Sequence, residues 1–312
     1  MSSPALLAPA APRRARLAAD LPVLAVAVVW GGSYLAAKGV TTAHTVIAVL
    51  VLRFALVLPV LVVAGRQRLR ALTARQVSGA GLLGLVLGGI FLLETYGIVR
   101  TSATNAGLII SLTMIFTPLA EAAVRREAPS GAFLAGAAAS VAGVVLLTQS
   151  AGLTVPGAGL TVPGAGDLLI LGAALARTLH VLLMARITSL RGADALSLTT
   201  VQLGGAVLVF AVLAAVPGTG DSPWATAAAF GPAQWAGLAF LSVFCTLFAF
   251  FVQMWAVRRS SPSRVSLLLG TEPLWAAAAG IVIGGEHLGP AGFLGAALVL
   301  GGTAWGRRAV TG

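Results

Sequence analysis

The chain alternates long apolar runs with short polar connections. Ten of these runs have roughly the 20 residues that an α-helix needs to cross the hydrocarbon core of a bilayer. They lack the strict apolar–polar alternation of transmembrane β-strands. Because backbone polar groups in lipid need internal partners, the pattern predicts an all-α integral membrane protein. Its ten transmembrane helices are expected at approximately 21–39, 45–64, 77–98, 105–124, 131–148, 167–188, 195–216, 233–257, 263–283 and 289–306.

The composition agrees with a lipid environment. Charged residues make up 9% of the 312 positions and apolar residues 58%, whereas soluble proteins carry about 25% charged residues. The net charge of +11 would suggest a nucleic-acid partner only if the basic residues clustered on one exposed face, and here they lie between apolar runs. We therefore expect the lipid bilayer, and no nucleic acid, as a partner. The single cysteine, Cys245, excludes an intrachain disulfide and a cysteine-built metal cluster.

The connections differ sharply in positive charge, which predicts the orientation of the chain. Cytoplasmic connections of membrane proteins are enriched in Lys and Arg. If the N-terminus is cytoplasmic, the outer connections hold only Lys38 and Arg100. The cytoplasmic segments then hold sixteen arginines: Arg13, Arg14, Arg16, Arg66, Arg68, Arg70, Arg75, Arg125, Arg126, Arg186, Arg191, Arg258, Arg259, Arg264, Arg307 and Arg308. This predicts a multi-pass membrane protein with both termini in the cytoplasm.

An internal repeat predicts two halves of opposite orientation. Residues 96–127 align without a gap to residues 255–286 at an offset of 159, which places Arg100 on Arg259 and Glu127 on Glu286. The aligned segments have the same position in the helix order of each half. Since each half contains five helices, an odd number, the second must be inverted relative to the first, as in many secondary transporters.

The repeat sets the expected domain boundaries. A basic cytoplasmic tail (1–20) precedes the first repeat (21–148), and an external Gly/Pro linker (149–166) contains the heptad GLTVPGA twice in tandem. The second repeat (167–306) is followed by a short cytoplasmic tail (307–312).

Several short motifs resemble the drug/metabolite transporter superfamily, in its ten-helix type with two EamA domains. They are Trp30-Gly31-Gly32-Ser33, Arg53-Phe54, the stretch YGIVRTSA at 96–103, Gly166-Asp167, Glu272-Pro273-Leu274-Trp275 and Gly285-Glu286. The resemblance covers about residues 21–306. It implies a metabolite carrier of the bacterial inner membrane, often an exporter, in a family that handles amino acids, nucleobases and other small solutes.

The prolines of the two halves do not superimpose. Pro273 aligns with Met114, whereas Pro118 aligns with Ala277, one helical turn later. If these prolines mark flexible points, the two halves are expected to hinge at different depths.

Charges inside spans are costly, so each is a functional candidate with a structural alternative. Arg53 and Glu94 could neutralise each other across the bundle, or Arg53 could simply fix helix packing. Glu94 could carry a proton. Glu272 precedes Pro273, which frees a carbonyl in its helix, and could form a proton or cation site or stabilise the kink.

Arg177 and His180 share one helix face because they are three residues apart. That face could bind a carboxylate or phosphate, or Arg177 could pair with an acid elsewhere while a backbone carbonyl satisfies His180. Glu121 is expected to pair with Arg125 at i+4, and Glu127 and Glu286 to lie at the interface. The uncharged residues expected to shape a central cavity are Trp30, Tyr96, Asn105, Gln202, Gln253 and Trp255.

Phosphate-binding loops, HExxH and Gly-x-Ser-x-Gly are absent from the sequence, which argues against an enzyme and against ATP coupling. We expect no cofactor and no metal. The predicted function is a secondary transporter that exports a small amino-acid-like solute or toxic analogue by alternating access with proton coupling. The alternatives are a facilitated-diffusion carrier or exchanger without proton coupling, an intramembrane enzyme, and a non-transporting membrane protein. Both a monomer and a homodimer fit the sequence.

Overall fold

The computed structural model describes residues 13–126, 128–153, 163–187, 192–259, 265 and 268–311. The predicted tail up to residue 12, the linker at 154–162 and Glu127 lie outside these residues. The first half contains α1 (Arg13–Val40), α2 (Val46–Ala55), α3 (Leu58–Leu69), α4 (Ala74–Ile98), α5 (Ala103–Ile110), α6 (Thr113–Arg125) and α7 (Gly131–Leu153). The second contains α8 (Ala165–Arg186), α9 (Ala195–Ala214), α10 (Pro223–Ala229), α11 (Pro232–Ser242), α12 (Ala249–Arg259), α13 (Glu272–Ala278) and α14 (Pro290–Thr311). Since α1 begins at Arg13, part of the predicted tail is helical.

The described residues form helices and turns without a strand, which confirms the all-α prediction. Within the described ranges, six helical segments are long and apolar enough to cross a membrane: α1, α4, α5 with α6, α8, α9, and α11 with α12. The bent pair α2 and α3, with 43° between its members, makes a seventh. Three shorter apolar segments are also helical: Gly131–Leu146 within α7, Glu272–Ile283 from α13 into the π-helical turn after it, and Pro290–Gly306 within α14. The count of ten spans stays a prediction.

Side-chain caps define where several helices begin. The Thr73 hydroxyl accepts a hydrogen bond from the Gln76 backbone N–H, and the Gln76 side chain accepts one from the Thr73 N–H. This reciprocal pair satisfies two of the free N–H groups at the start of α4. Asp194 caps α9 in a similar way by accepting from the Ser197 N–H at 3.1 Å.

Two spans are interrupted at equivalent positions of the repeat. A turn at residues 111–112 separates α5 from α6, and a turn at residues 270–271 precedes α13. The two turns are 159 positions apart, which is the offset of the sequence repeat. Pro118 lies inside α6 rather than at the break, and hinging of the halves at different depths stays a prediction.

Hydroxyl groups donate hydrogen bonds to backbone carbonyls at both breaks. Ser111 Oγ donates to the Leu108 carbonyl at 2.6 Å, and Thr113 Oγ1 donates to the Ile110 carbonyl at 2.7 Å. In the second break, Thr271 Oγ1 donates to the Leu268 carbonyl at 2.9 Å. Such local bonds allow a helix to break inside a membrane without leaving bare carbonyls in lipid.

The ends of the bundle differ in charge. Arg68, at the end of α3, pairs with Asp194, at the start of α9, at 3.2 Å, and α8 ends near this point at Arg186. We call this side the arginine-rich end. The C-terminal part of α14 reaches the same side, where Gly306 packs against Phe133 at the start of α7.

Helices α7 and α14 pack at backbone distance. A Cβ added to Gly302 would lie 2.5 Å from the Gly136 carbonyl oxygen, and one added to Gly143 would lie 2.6 Å from the Gly295 carbonyl oxygen. The two helices are therefore antiparallel, and small residues permit their close approach as in other membrane helix pairs.

Candidate solute site in the bundle centre

Three charged side chains from three helices meet in the middle of the bundle. Arg177 of α8 contacts Glu94 of α4 through Nη2 at 3.3 Å and Glu272 of α13 through Nη1 at 3.3 Å. We call these three residues the ion cluster. It joins the two repeats, because α4 belongs to the first and α8 and α13 to the second.

Two aromatic residues of α1 complete the ion cluster. The Tyr34 hydroxyl donates to Glu272 Oε1 at 2.5 Å. The Trp30 ring lies 5.2 Å from the Arg177 guanidinium carbon, which is a cation–π distance. Trp30 is held in place because its Nε1 donates to the Cys245 carbonyl at 3.0 Å.

Local structure explains how Glu272 reaches this position. It is the first residue of α13, directly after the break at 270–271, and Pro273 follows within the first turn. Proline suits the first turn of a helix because the N–H that it lacks would have no partner there. An acidic side chain is also favoured at a helix N-terminus.

A cavity of about 100 Å³ opens beside the ion cluster. Its polar wall includes the cluster, His180, Gln253 and the hydroxyl residues Ser111, Thr113 and Thr117, and its aromatic wall consists of Trp30, Phe91 and Phe250. The lining continues along α8 from Arg177 to Ala185, which is the direction of the arginine-rich end.

The other side of the ion cluster is closed by an apolar cluster, which we call the plug. Its members come from α1, α4, α5, α8 and α13 and are almost fully buried: Tyr34, Ile98, Ala103, Ala106, Ile109, Ile110, Ile170, Ala173, Ala174 and Ala276. The structure therefore has its cavity directed toward the arginine-rich end and sealed on the opposite side.

His180 lies in the cavity wall and is backed by Gln202. The two residues are 3% and 2% exposed, and their side chains interact with each other. Because an unsatisfied buried polar group costs about 1–3 kcal/mol, this contact stabilises both side chains in the bundle.

Arg53 makes its direct contacts outside the ion cluster, in line with the alternative that it fixes helix packing, although its charge still interacts with Glu94 over a longer distance. Its Nε donates to Thr246 Oγ1 at 2.8 Å, and its guanidinium carbon lies 4.7 Å from the centre of the Phe91 ring. Thr246 in turn donates to the Leu241 carbonyl, five residues earlier, in the π-helical segment Val243–Phe248. The wide turn thus supplies a polar partner for a buried arginine.

The remaining predicted residues divide between the cavity and other sites. Gln253 lines the cavity with Trp30, Glu94, Arg177, His180 and Glu272. Tyr96 instead lies in a separate surface groove beside Arg100, whose guanidinium carbon is 5.4 Å from the Tyr96 ring. The positions outside the cavity wall are Arg53, Tyr96, Asn105, Gln202 and Trp255.

The predicted helix-end acids have different environments. Glu121 is partly buried in α6, whereas the side chain of its expected partner Arg125 lies outside the described part. Glu286 is not simply interfacial, because its carboxylate bonds to two backbone N–H groups of α5.

Sequence analysis missed Tyr34, Phe91 and Phe250. A signal for Tyr34 existed, because it lies four residues after Trp30 and therefore on the same face of α1. The aromatic partners on α4 and α12 carry no such signal, since phenylalanine is ordinary in a membrane helix. Within the described ranges, no group of three His, Cys, Asp or Glu side chains could hold a metal ion.

Together, the helices and the enclosed polar cavity define a multi-pass membrane protein with a solute-sized site between two repeats. Residues 17–149 and 164–305 each match the EamA-like transporter family. The chain belongs to this family, within the drug/metabolite transporter superfamily, and is a membrane transporter of small solutes.

One solved structure, titled "Crystal structure of protein", is similar in fold. It is 19% identical, the alignment covers 92% of this chain and 96% of the other, and the TM-score is 0.58. This likeness concerns the fold alone. A comparison with curated proteins found no match.

Proposed function

We propose that the protein exports a small amino-acid-like solute from the bacterial cytoplasm by alternating access, coupled to protons. The observation that carries the proposal is the ion cluster at the cavity wall, in which Arg177 bridges Glu94 and Glu272 between the repeats. Midplane sites between inverted repeats are where secondary transporters bind solute and coupling ions.

The charge pattern of the ion cluster suits a zwitterion. A solute ammonium group can take the place of the arginine at one carboxylate, while the solute carboxylate takes the place of that acid at Arg177. No buried charge then loses its partner, which is the condition for binding at low cost in a site of low polarity. The aromatic wall of Trp30, Phe91 and Phe250 can cover an apolar side chain of the solute.

Proton coupling follows from the numbers of acids and bases in the cluster. Two carboxylates share one guanidinium, and Glu272 also receives the Tyr34 hydroxyl. Glu94 is therefore the better proton carrier. A proton on Glu94 weakens its contact with Arg177 and frees the guanidinium for the solute.

The predicted orientation supports export as the direction of transport. The excess of arginine assigns the arginine-rich end, and with it both termini, to the cytoplasm. In this arrangement the cavity faces the cytoplasm and can load an intracellular solute. Among the described residues of the cavity wall, no nucleophile, base and oxyanion donors meet in reactive geometry, and we therefore infer a carrier rather than an enzyme.

The test is solute flux in proteoliposomes. Purified protein is supplied with a panel of radiolabelled amino acids and amines, with and without an imposed pH gradient. We expect concentrative transport of a zwitterion only with the gradient, and its loss in Glu94→Gln. The matched control is Glu121→Gln, an acid in a span but outside the cavity wall, which is expected to keep the gradient response.

Other outcomes identify the alternatives. Flux that ignores the pH gradient in both variants would favour facilitated diffusion or exchange and refute coupling at Glu94. Chemical conversion of the solute would indicate an intramembrane enzyme. No flux across the panel would count against the amino-acid-like substrate class.

A further inference from the structure

A carboxylate from the second repeat caps a helix of the first repeat at the end opposite the arginines. Glu286 lies in the connection between α13 and α14. Its Oε1 accepts from the Ala103 backbone N–H at 2.8 Å and its Oε2 from the Thr104 N–H at 3.0 Å. These are first-turn donors of α5, where a negative charge is also favoured by the helix dipole.

The capped turn is part of the plug. Ala103 is 1% exposed and Ala106, one turn further, is fully buried, as is Ala276 of α13. Glu286 therefore fixes α5 in the position that closes the cavity on this side.

Two further contacts hold the connection before α5. Lys38 Nζ, at the end of α1, donates to the Thr101 carbonyl at 2.9 Å, and Thr101 Oγ1 donates to Asp167 Oδ1, in the first turn of α8, at 2.6 Å. The arginine-rich end differs, since its ion pair between the two repeats, Arg68 with Asp194, is exposed at 65% and 35% of the side chains.

The site around Glu286 is tightly shaped. The Glu286 N–H donates to the Gly280 carbonyl at 3.0 Å. A Cβ added to Gly280 would lie 2.6 Å from Glu286 Oε2 and 2.5 Å from Thr104 Oγ1. A side chain at position 280 would therefore displace the carboxylate from the helix that it caps.

We propose that Glu286 is a gating residue: its bonds to α5 lock the cavity shut on the side opposite the arginine-rich end, and they break when the cavity opens to that side. Glu286 does not touch the solute, and acts by positioning α5 against α8 and α13. The inference rests on the alternating access proposed above. It is independent of the solute and of proton coupling, because the gate operates in the empty carrier.

The test measures accessibility rather than transport. In a Cys245→Ala background, one reporter is Ala106→Cys in the plug and the other is Met184→Cys in the cavity lining. Each is labelled with a hydrophilic maleimide in detergent without solute. We expect Glu286→Gln to raise the labelling rate of Ala106→Cys roughly fivefold, the effect of losing a typical helix cap. The labelling of Met184→Cys should not rise.

Two variants make the result specific. Gly280→Ala is expected to act in the same direction as Glu286→Gln, and it carries the test if the latter does not fold. The control Asp221→Asn replaces an exposed acid and should not change the labelling rate of either reporter cysteine. The proposal is overturned if Glu286→Gln and Gly280→Ala leave the Ala106→Cys rate at the Asp221→Asn level. It is also overturned if both reporters rise together, since general loosening would explain that. Solute flux is not measured, so a failure here is distinct from a failure of the proposed function.

Discussion

The ion cluster predicts a large loss of stability when its arginine is neutralised. Arg177→Gln leaves Glu94 and Glu272 facing each other without a cation, and their side chains are only 13% and 6% exposed. Removing one partner from a buried ion pair costs about 3–5 kcal/mol. Spread over the unfolding entropy of a chain of this size, that corresponds to a fall in Tm of roughly 5–10 °C.

The assay is thermal unfolding of the purified protein in detergent, with a rescue that tests the electrostatic reason. In Arg177→Gln combined with Glu94→Gln and Glu272→Gln, the unpaired charges are gone, and we expect most of the lost stability to return. The control is Arg68→Gln, which breaks an ion pair whose arginine is 65% exposed. Such exposed pairs contribute about 0–1 kcal/mol.

Two results would refute this reasoning. One is an Arg177→Gln protein as stable as Arg68→Gln, which would mean that the carboxylates find other partners or water. The other is a triple variant no more stable than Arg177→Gln, which would assign the loss to packing of the arginine stem rather than to charge.

Three further changes follow from single contacts. Tyr34→Phe removes a hydrogen bond to a charged acceptor, of about 1.5–3 kcal/mol, so initial solute flux should fall roughly tenfold, and unchanged flux would deny the hydroxyl a role. Thr246→Val removes the acceptor of the buried α2 arginine and should lower the unfolding free energy by about 1–3 kcal/mol. The control is Thr226→Val, because the Thr226 hydroxyl has no partner in the described part and its loss should hardly change the unfolding free energy. Equal losses of unfolding free energy in Thr246→Val and Thr226→Val would contradict the argument. Gly302→Ala drives a methyl group into the α7 backbone and should lower Tm, whereas the adjacent Gly301→Ala meets nothing within 4 Å and should not.

The sequence was sufficient for the fold class and for locating the charges inside spans, because both depend on local composition. It was insufficient for their partners. Arg53 and Glu94 lie on predicted spans that are consecutive in the chain, yet Glu94 contacts Arg177 while Arg53 donates to Thr246. Partner choice depends on helix rotation and on a π-helical turn, and both are set by packing between distant segments.

The position of the first helix break was missed for a related reason, whereas the second break lies directly before the predicted kink at Pro273. Proline is the strongest local signal for a break, and it pointed to Pro118 in the first repeat. The break lies at 111–112, where Ser111 and Thr113 hydroxyls bond to the nearby carbonyls. Hydroxyl residues are common inside membrane helices without breaking them, so this signal was not distinctive.

The repeat also explains why one polar cavity contains an asymmetric charge cluster. At the offset of 159, Glu94 corresponds to Gln253 and Glu272 to Thr113, and all four side chains line the cavity. The pseudo-symmetry thus provides two pairs of related polar positions, and each pair has one charged and one neutral member. Both carboxylates contact the single Arg177, so the two repeats cannot exchange roles by symmetry alone. The helix breaks lie at equivalent positions of the two repeats, so the two halves can move in related ways. The ion cluster is present once, so the binding of charged groups does not share this symmetry. A carrier built in this way needs only one set of costly buried charges to serve both faces of the membrane.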